Sequence, residues 1–310
     1  MPGSSELSTT AVIPTCNRPR FLAEAIESVL AQTRPAFEVL VVDDGSTENY
    51  AETICARFGG RVRCLRKANG GLSSARNHGI RHATGALVAI LDDDDRWYPN
   101  KLERQVPLFA DPEVGIAYAN SRIFDHETGK TLEVEELPGE IGVHEILSHK
   151  IPRTNAAVFR RELAIEIGGF DESLLAIEDL DFFARMAAVS RMVGVPDVLG
   201  EYRQHTGARI MGGGYRLYKW QRKAILKNSH HHGPCETCRA IVRSSLNEIW
   251  KWPYRELCAR SNELLRAGRY AEAISVRATA VSLSPARAAR AMVAGTLAQV
   301  RARDEAHPGR

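Results

Sequence analysis

Residues 85–95 read Gly-Ala-Leu-Val-Ala-Ile-Leu-Asp-Asp-Asp-Asp, an apolar run that ends in four consecutive carboxylates before Arg96-Trp97-Tyr98-Pro99. A run this short, with Gly on one side and Pro on the other, reads as a strand buried on both faces that delivers Asp92, Asp93, Asp94 and Asp95 at its carboxyl end. Like charges crowded at the mouth of a sheet raise one another's pKa unless a cation sits among them, and hard oxygen ligands of this kind suit Mg2+ or Mn2+. A solvated acidic turn is the plainer alternative, and the surroundings of the run must decide between them.

The preceding chain repeats one pattern. Thr10-Ala-Val-Ile13 is a strand that Pro14 is expected to halt, and Pro19 suits the first turn of a helix running to about Gln32. Leu22, Ile26, Val29 and Leu30 recur in it at helical spacing and belong to the core. Glu38-Val-Leu-Val-Val42 is a second strand, ending in Asp43 and Asp44, and Arg61-Val-Arg-Cys-Leu65 a third. Asn69-Gly-Gly-Leu-Ser-Ser-Ala-Arg-Asn-His-Gly79 then turns into a helix. Strand and helix alternating over about 90 residues predict a parallel sheet with helices on its faces, whose ligands bind outside the carboxyl ends of the strands. Both acidic clusters fall on that edge. The Gly-Gly turn allows close backbone approach to a ligand, and Arg76, about one turn into the helix, can reach an anion there, with a surface turn and a solvated Arg as the alternative. It is not GxGxxG, so no dinucleotide site is assigned.

Val12-Ile-Pro-Thr-Cys-Asn-Arg18, Val41-Val-Asp-Asp-Gly-Ser46, Asn69 to Asn77 and Ile90-Leu-Asp-Asp-Asp-Asp95 are similar to the ordered signatures of family 2 glycosyltransferases with the GT-A fold. Gly168-Gly-Phe-Asp-Glu172 and Glu178-Asp-Leu-Asp181 extend the resemblance, which covers roughly residues 9 to 206. It implies an α/β, Rossmann-like, mixed but mostly parallel sheet flanked by helices, and an inverting hexosyltransferase that uses a nucleotide sugar, UDP-linked by expectation, with Mn2+ or Mg2+. By resemblance, Pro14 and Thr15 line the nucleotide, Asp44 with Asp43 holds the base, and Arg76 serves base and diphosphate. Asp92 and Asp93 lie near ribose and sugar, Asp94 is the metal ligand, and Asp179 takes the position of the general base beside Glu178. The family pattern is Asp-x-Asp-Asp, and since x is itself Asp here, the division of labour among Asp92, Asp93 and Asp94 stays open. Arg153 and Asn155, on an expected strand Ile151 to Phe159, are carried toward the acceptor side. His205, after a strand from Met192 to Leu199, is the candidate to complete the metal shell, with a solvated loop histidine as the alternative. Gly207 to Gly214, with four glycines, is expected to form a mobile loop closing over donor and metal.

Charge divides the chain: residues 1–210 carry 23 Lys and Arg against 31 Asp and Glu, and residues 211–310 carry 18 against 7. We therefore place a nucleotide-sugar transferase domain at 1–210 and a basic helical region at 211–310. The basic part asks for an anionic partner or docks on the acidic one. Tyr215 to Lys227, basic with interleaved aromatics, suits a helix lying on an anionic membrane or one packing Leu217, Trp220, Ala224 and Ile225 inward. The acceptor is then a saccharide or a lipid-linked molecule, as in cell-surface polysaccharide synthesis, and nucleic acid is not expected. His230-His-His-Gly-Pro-Cys-Glu-Thr-Cys238 offers zinc donors, but four ligands so close along the chain strain a tetrahedral shell. Leu264 to Pro285 looks like one tetratricopeptide-type helix pair, which must bury its apolar face on the catalytic domain or on a second subunit, as in a homodimer. Residues 302–310 are expected to be disordered.

No apolar stretch approaches the roughly 20 residues a bilayer span needs, and Met1-Pro-Gly-Ser-Ser-Glu has no signal-peptide character, so a cytoplasmic location is expected, with peripheral contact at the inner face of the membrane. Six scattered cysteines fit reduced thiols. Competing classes leave residues unexplained. A Mg2+-dependent receiver domain is shorter and needs a late lysine. A haloacid-dehalogenase phosphatase needs Thr or Val where Arg96 stands. An inert scaffold on a nucleotide-binding GT-A fold would keep a full set of acids to no purpose, and idle buried carboxylates cost stability.

Overall fold

The structure, a computed structural model, describes residues 7–205, 214–230, 235–283 and 285. The elements are β1 (Thr9–Thr15), α1 (Pro19–Leu30), β2 (Glu38–Asp44), α2 (Tyr50–Ala56), β3 (Arg63–Lys67), α3 (Leu72–His82), β4 (Leu87–Ile90), β5 (Arg96–Trp97), α4 (Lys101–Gln105), β6 (Val114–Asp125) and β7 (Thr131–Glu135). There follow α5 (Val143–Leu147), β8 (Val158–Arg160), α6 (Arg161–Glu166), α7 (Glu178–Ala187), β9 (Arg191–Gln204), α8 (Gly214–Asn228), α9 (Glu236–Glu248), α10 (Lys251–Arg266) and α11 (Tyr270–Leu283). The chain divides into two compact units: Met1–Ile210 with Lys223–Val242, and Met211–Arg222 with Arg243–Arg310. The break thus runs through α8 and α9, and the segment from Lys223 to Val242 belongs with the sheet.

The sheet has the order β3-β2-β1-β4-β8-β6-β9-β5, with β7 on β6. β3, β2, β1 and β4 are mutually parallel, β8 is antiparallel to both its neighbours, and β9 runs parallel to β6. Every residue of β1 and β4 is buried, as parallel strands covered on both faces require. On one face α1 buries Phe21, Leu22, Ala25, Ile26 and Val29, the stripe its spacing predicts. On the other, α3 lies so close to β1 that a Cβ on Gly79 would stand 2.2 Å from Val12 Cγ1.

Three local expectations change. Pro14 lies inside β1, opposite Val42. Val12 bonds toward β4 through its carbonyl, so by alternation the nitrogen of Pro14 also points that way, past Ile90, the last β4 residue paired with β1, where the pairing ends. The strand expected from Ile151 shrinks to Val158–Arg160, after a 3-10 turn at Thr154–Ala156. There Asn155 is buried, and its carbonyl accepts the Trp97 indole N–H at 2.8 Å. β9 runs on to Gln204, since Arg96 and Trp97 of β5 pair with Glu201 and Gly200.

In the second unit, α10 and α11 pack on one another through a turn at Gly268 (φ 72°), with Ala273, Ala280 and Leu283 buried and Ser261 bonding the Ala273 carbonyl at 2.9 Å. Among the described residues no helix is long and apolar enough to cross a membrane. The glycine-rich stretch expected to close over the site, residues 302–310, and His231 and His232 lie outside the described residues; of that stretch only Gly214 is described.

Candidate active site

Because β2, β1 and β4 are adjacent and parallel, their carboxyl ends share one rim, where Thr15 pairs in register with Asp43 and the acidic run follows β4 directly. The four aspartates alternate. Asp93 and Asp95 are each 1% exposed, while the side chains of Asp92 and Asp94 are 25% and 14% exposed. The run is bent rather than extended: the Asp95 N–H bonds the Asp92 carbonyl at 3.1 Å, and this turn over Asp92–Asp95 sets which side each carboxylate takes.

Each acid has its own partners. Asp93 accepts from the Thr15 hydroxyl at 2.6 Å and pairs with the Arg18 guanidinium. The Tyr50 hydroxyl, 2.6 Å from Thr15 Oγ1, holds that threonine in place. Burial pushes the Asp93 carboxyl up to about 7, against the pull of Arg18. Arg18 also reaches Asp94 at 2.8 Å, and His205 Nε2 lies 3.1 Å from the same Asp94 oxygen. Asp95 points inward, taking the Asn155 amide at 2.7 Å and the Arg203 backbone N–H at 2.9 Å. Burial, with Asp94 and Asp92 nearby, holds its carboxyl well above the usual carboxylate range. Arg203 closes the loop by donating to the Asp94 carbonyl at 2.7 Å. Asp95 and Arg203 thereby fix the end of β9, and with it His205, against the acidic run.

Arg76, 2% exposed, spans the site. It bonds Asp92 at 2.9 and 3.2 Å and Glu178 at 2.8 Å, and its guanidinium lies 5.2 Å over the Phe170 ring. Glu178 and Asp179 open α7, so Arg76 joins the run after β4 to that helix. Burial first, and then the Glu178 charge beside it, raise the Asp179 carboxyl to about 6. Ile177, just before this pair, has φ 62°. A β-branched residue in the left-handed region costs on the order of 1–3 kcal/mol, and such strain clusters where a local conformation is needed for function.

On β2, Asp44 is fully occupied: Lys67 donates at 2.6 Å, Gly70 N–H at 3.0 Å, Gly71 N–H at 2.7 Å and the Asn69 amide at 3.2 Å. Asp43 accepts from Ser46 N–H at 2.9 Å, and its other oxygen, 3.6 Å from Arg66, is buried without a hydrogen-bond partner among the described residues. Pro14 and Thr15 lie between the two acidic groups. Arg153 is held by Glu135 at 2.7 Å and stacks 4.0 Å over Tyr202, while Asn155 braces Asp95 from within the fold.

The structure therefore brings together Thr15, Asp92, Asp93, Asp94, His205, Arg76, Glu178 and Asp179, with Asp43 and Asp44 on the same rim. Arg18, Lys67 and Arg203 hold it as well, though sequence reasoning assigned them no role. Lys67 had a usable signal, since it ends the third parallel strand and pairs in register with Asp44. Asp94 and His205 offer a carboxylate oxygen and an imidazole nitrogen 3.1 Å apart, a donor pair that could hold a divalent ion such as Mn2+ or Mg2+.

Residues 10–170, more than half of the chain, match the family model described as Glycosyl transferase family 2. An uncharacterized glycosyltransferase of Rickettsia felis is 31% identical over 247 residues, 77% of this chain and 38% of that protein. Its counterpart in Rickettsia prowazekii is 33% identical over 204 residues, 63% of each. The chain thus spans only 38% and 63% of the length of these two relatives. Among solved structures, S. aureus TarS in complex with UDP-GlcNAc is similar with a TM-score of 0.60 at 17% identity, over 89% of this chain and 91% of that one. The Pyrobaculum calidifontis mannosyltransferase PcManGT, in complex with GDP-Man and Mn2+, gives 0.58 at 21% identity, over 94% and 80%. With the signatures in order, the acids on one rim and the family match over residues 10–170, this chain belongs to glycosyl transferase family 2 and has the GT-A fold.

Proposed function

We propose that the protein transfers a sugar, with inversion, from a nucleotide diphosphate sugar to a hydroxyl of a saccharide or lipid-linked acceptor. The observation that carries this reading is the contact chain Asp92–Arg76–Glu178, which sets Asp179, a carboxyl raised to about 6, on the same rim as the acidic run. A base serves best with a pKa near the working pH.

In this reading Asp43, with one buried oxygen that has no hydrogen bond among the described residues, accepts from the base, and Asp44 stiffens the Asn69–Gly71 turn beneath it. UDP is the donor nucleotide most in keeping with the motif set. Arg76 keeps Asp92 in place and adds positive charge beside the diphosphate. Asp94 and His205 would hold Mn2+ or Mg2+, which supplies charge neutralisation to the leaving diphosphate when bound. The acceptor oxygen attacks the anomeric carbon, its proton passes to Asp179, and the bond to phosphate breaks with the electron pair leaving on the nucleoside diphosphate.

Asp179→Asn tests the assignment, because amide and carboxyl have the same size. Donor binding, read by calorimetry with Mn2+, should stay within about twofold, while transfer falls by about 10²- to 10⁴-fold. Undiminished turnover rejects Asp179 as the base. In the unaltered enzyme, kcat/KM should rise with pH through about 6 as this carboxyl ionises.

A further inference from the structure

Away from the acidic rim, the same compact unit gathers three softer donors. His144 is the second residue of α5, Cys235 directly precedes α9, and Cys238 lies in the first turn of α9. The His144 Nε2 and Cys235 Sγ are 3.5 Å apart, although 91 residues separate them, and the donor atoms of all three lie within 4.8 Å of one another. Cys238 is 2% exposed, His144 and Cys235 are half-buried, and neither cysteine is in a disulfide. The Cys238 N–H donates to Cys235 Sγ at 3.3 Å, so the Cys-x-x-Cys turn already directs both sulfurs toward one point.

These distances meet a specific requirement. Around a tetrahedral Zn2+, bonds of about 2.3 Å to sulfur and about 2.0–2.1 Å to nitrogen place nitrogen and sulfur about 3.5 Å apart and two sulfurs about 3.8 Å apart. The His144–Cys235 edge has that length, and the rest of the triad needs to contract by no more than about 1.3 Å. Thiolate and imidazole donors without any carboxylate select Zn2+ over the hard ions that suit Asp94. The crowding that argued against four ligands from residues 230–238 is relieved, because one donor comes from α5 instead.

We propose that His144, Cys235 and Cys238 bind Zn2+ through three protein ligands, with water or a further donor in the fourth position, and that the ion fastens the chain after α8 to the sheet unit. Binding expels one proton from each thiol and involves no electron transfer. The location gives the clamp a purpose. The end of α8 is already tied to the neighbourhood of α7, where Asn228 bonds Asp181 at 2.9 Å and Lys227 bonds Asp171 at 2.6 Å. α7 also carries Glu178 and Asp179, so a zinc-fixed α9 start secures the connection beside the helix that presents the proposed base.

Metal analysis of the full chain, purified without chelator, should give about one zinc per chain. Replacement by Co2+ should produce thiolate-to-cobalt charge transfer and tetrahedral ligand-field bands. Cys238→Ser should lower the zinc content at least tenfold. His144→Cys should keep the metal but shift the cobalt spectrum toward a three-sulfur site, which a histidine serving only in packing would not do. Asp94→Ala should leave the zinc content unchanged, separating this site from the one on the rim. Because Cys238→Ser can fail to fold, the unaltered chain is decisive. If it arrives without zinc and shows no cobalt bands with equimolar Co2+, or if Cys235 and Cys238 are recovered as a disulfide, the proposal is overturned.

Discussion

Asp43-Asp44 after β2 and Asp92 to Asp95 after β4 look like one device used twice, yet the fold treats them differently. Asp44 spends both oxygens on Lys67 and the Asn69–Gly71 turn, so its ordering effect is local. The longer run, bent into a turn by the Asp95 N–H on the Asp92 carbonyl, splits into an inward pair and a rim pair. Asp95 secures β9 and Asp93 the arm that carries Arg18, leaving Asp92 and Asp94 to Arg76 and His205. Four identical residues thus hold separate posts, assigned by the side of the chain each occupies.

Substitutions along the run break or sharpen that contrast. Asp94→Ala removes the only rim carboxylate that meets His205 among the described residues, and Mn2+-dependent donor affinity should fall by at least 10²-fold in calorimetry. Unchanged affinity with Mn2+ present would reject Asp94 as the ligand. Asp95→Ala strands two buried donors, the Asn155 amide and the Arg203 N–H, and should cost about 2–4 kcal/mol in denaturant unfolding. An unfolding curve superimposable on that of the parent chain would show that Asp95 is not a brace.

Asp93→Asn should act in the opposite direction. Its carboxyl sits at about 7 in the fold, above the unfolded value of 3.8, so the folded state favours the protonated form. Its contribution to stability is therefore full below pH 3.8 and is lost as pH rises through about 7. The amide should unfold later than the parent at pH 8, by about 1–2 kcal/mol after allowance for the lost Arg18–Asp93 pair, with Arg18 still held by Asp94, and show no such gain at pH 4. A gain independent of pH would mean that burial of this charge is not what the parent chain contends with.

Much of this was legible beforehand, for a physical reason. The three strand-and-helix repeats depend on local periodicity and on Gly and Pro punctuation, and a parallel sheet sends every strand end to one edge, so the rim followed from topology. Partner choice did not, because it is decided by contacts remote in sequence. His205 and Asp94 are 111 residues apart, and Arg76 and Glu178 are 102 apart. The resemblance supplied those names where spacing could not. Asn155 shows the limit most clearly: on an expected strand it is carried toward the acceptor side with Arg153, whereas the pairing of β9 with β5 makes it a buried support. The third donor near Cys235 was hidden for the same reason, since His144 is far upstream.

Gly79 sits one turn after Arg76 on α3, and the helix rests on Val12 with no room for a methyl group. The thickness of that contact is a gauge block: it sets how far the guanidinium stands from the floor of the cleft, and so whether one side chain can span Asp92 and Glu178 together. The alignment of the acidic rim is thus governed by a hydrogen atom, at a buried position that carries no charge.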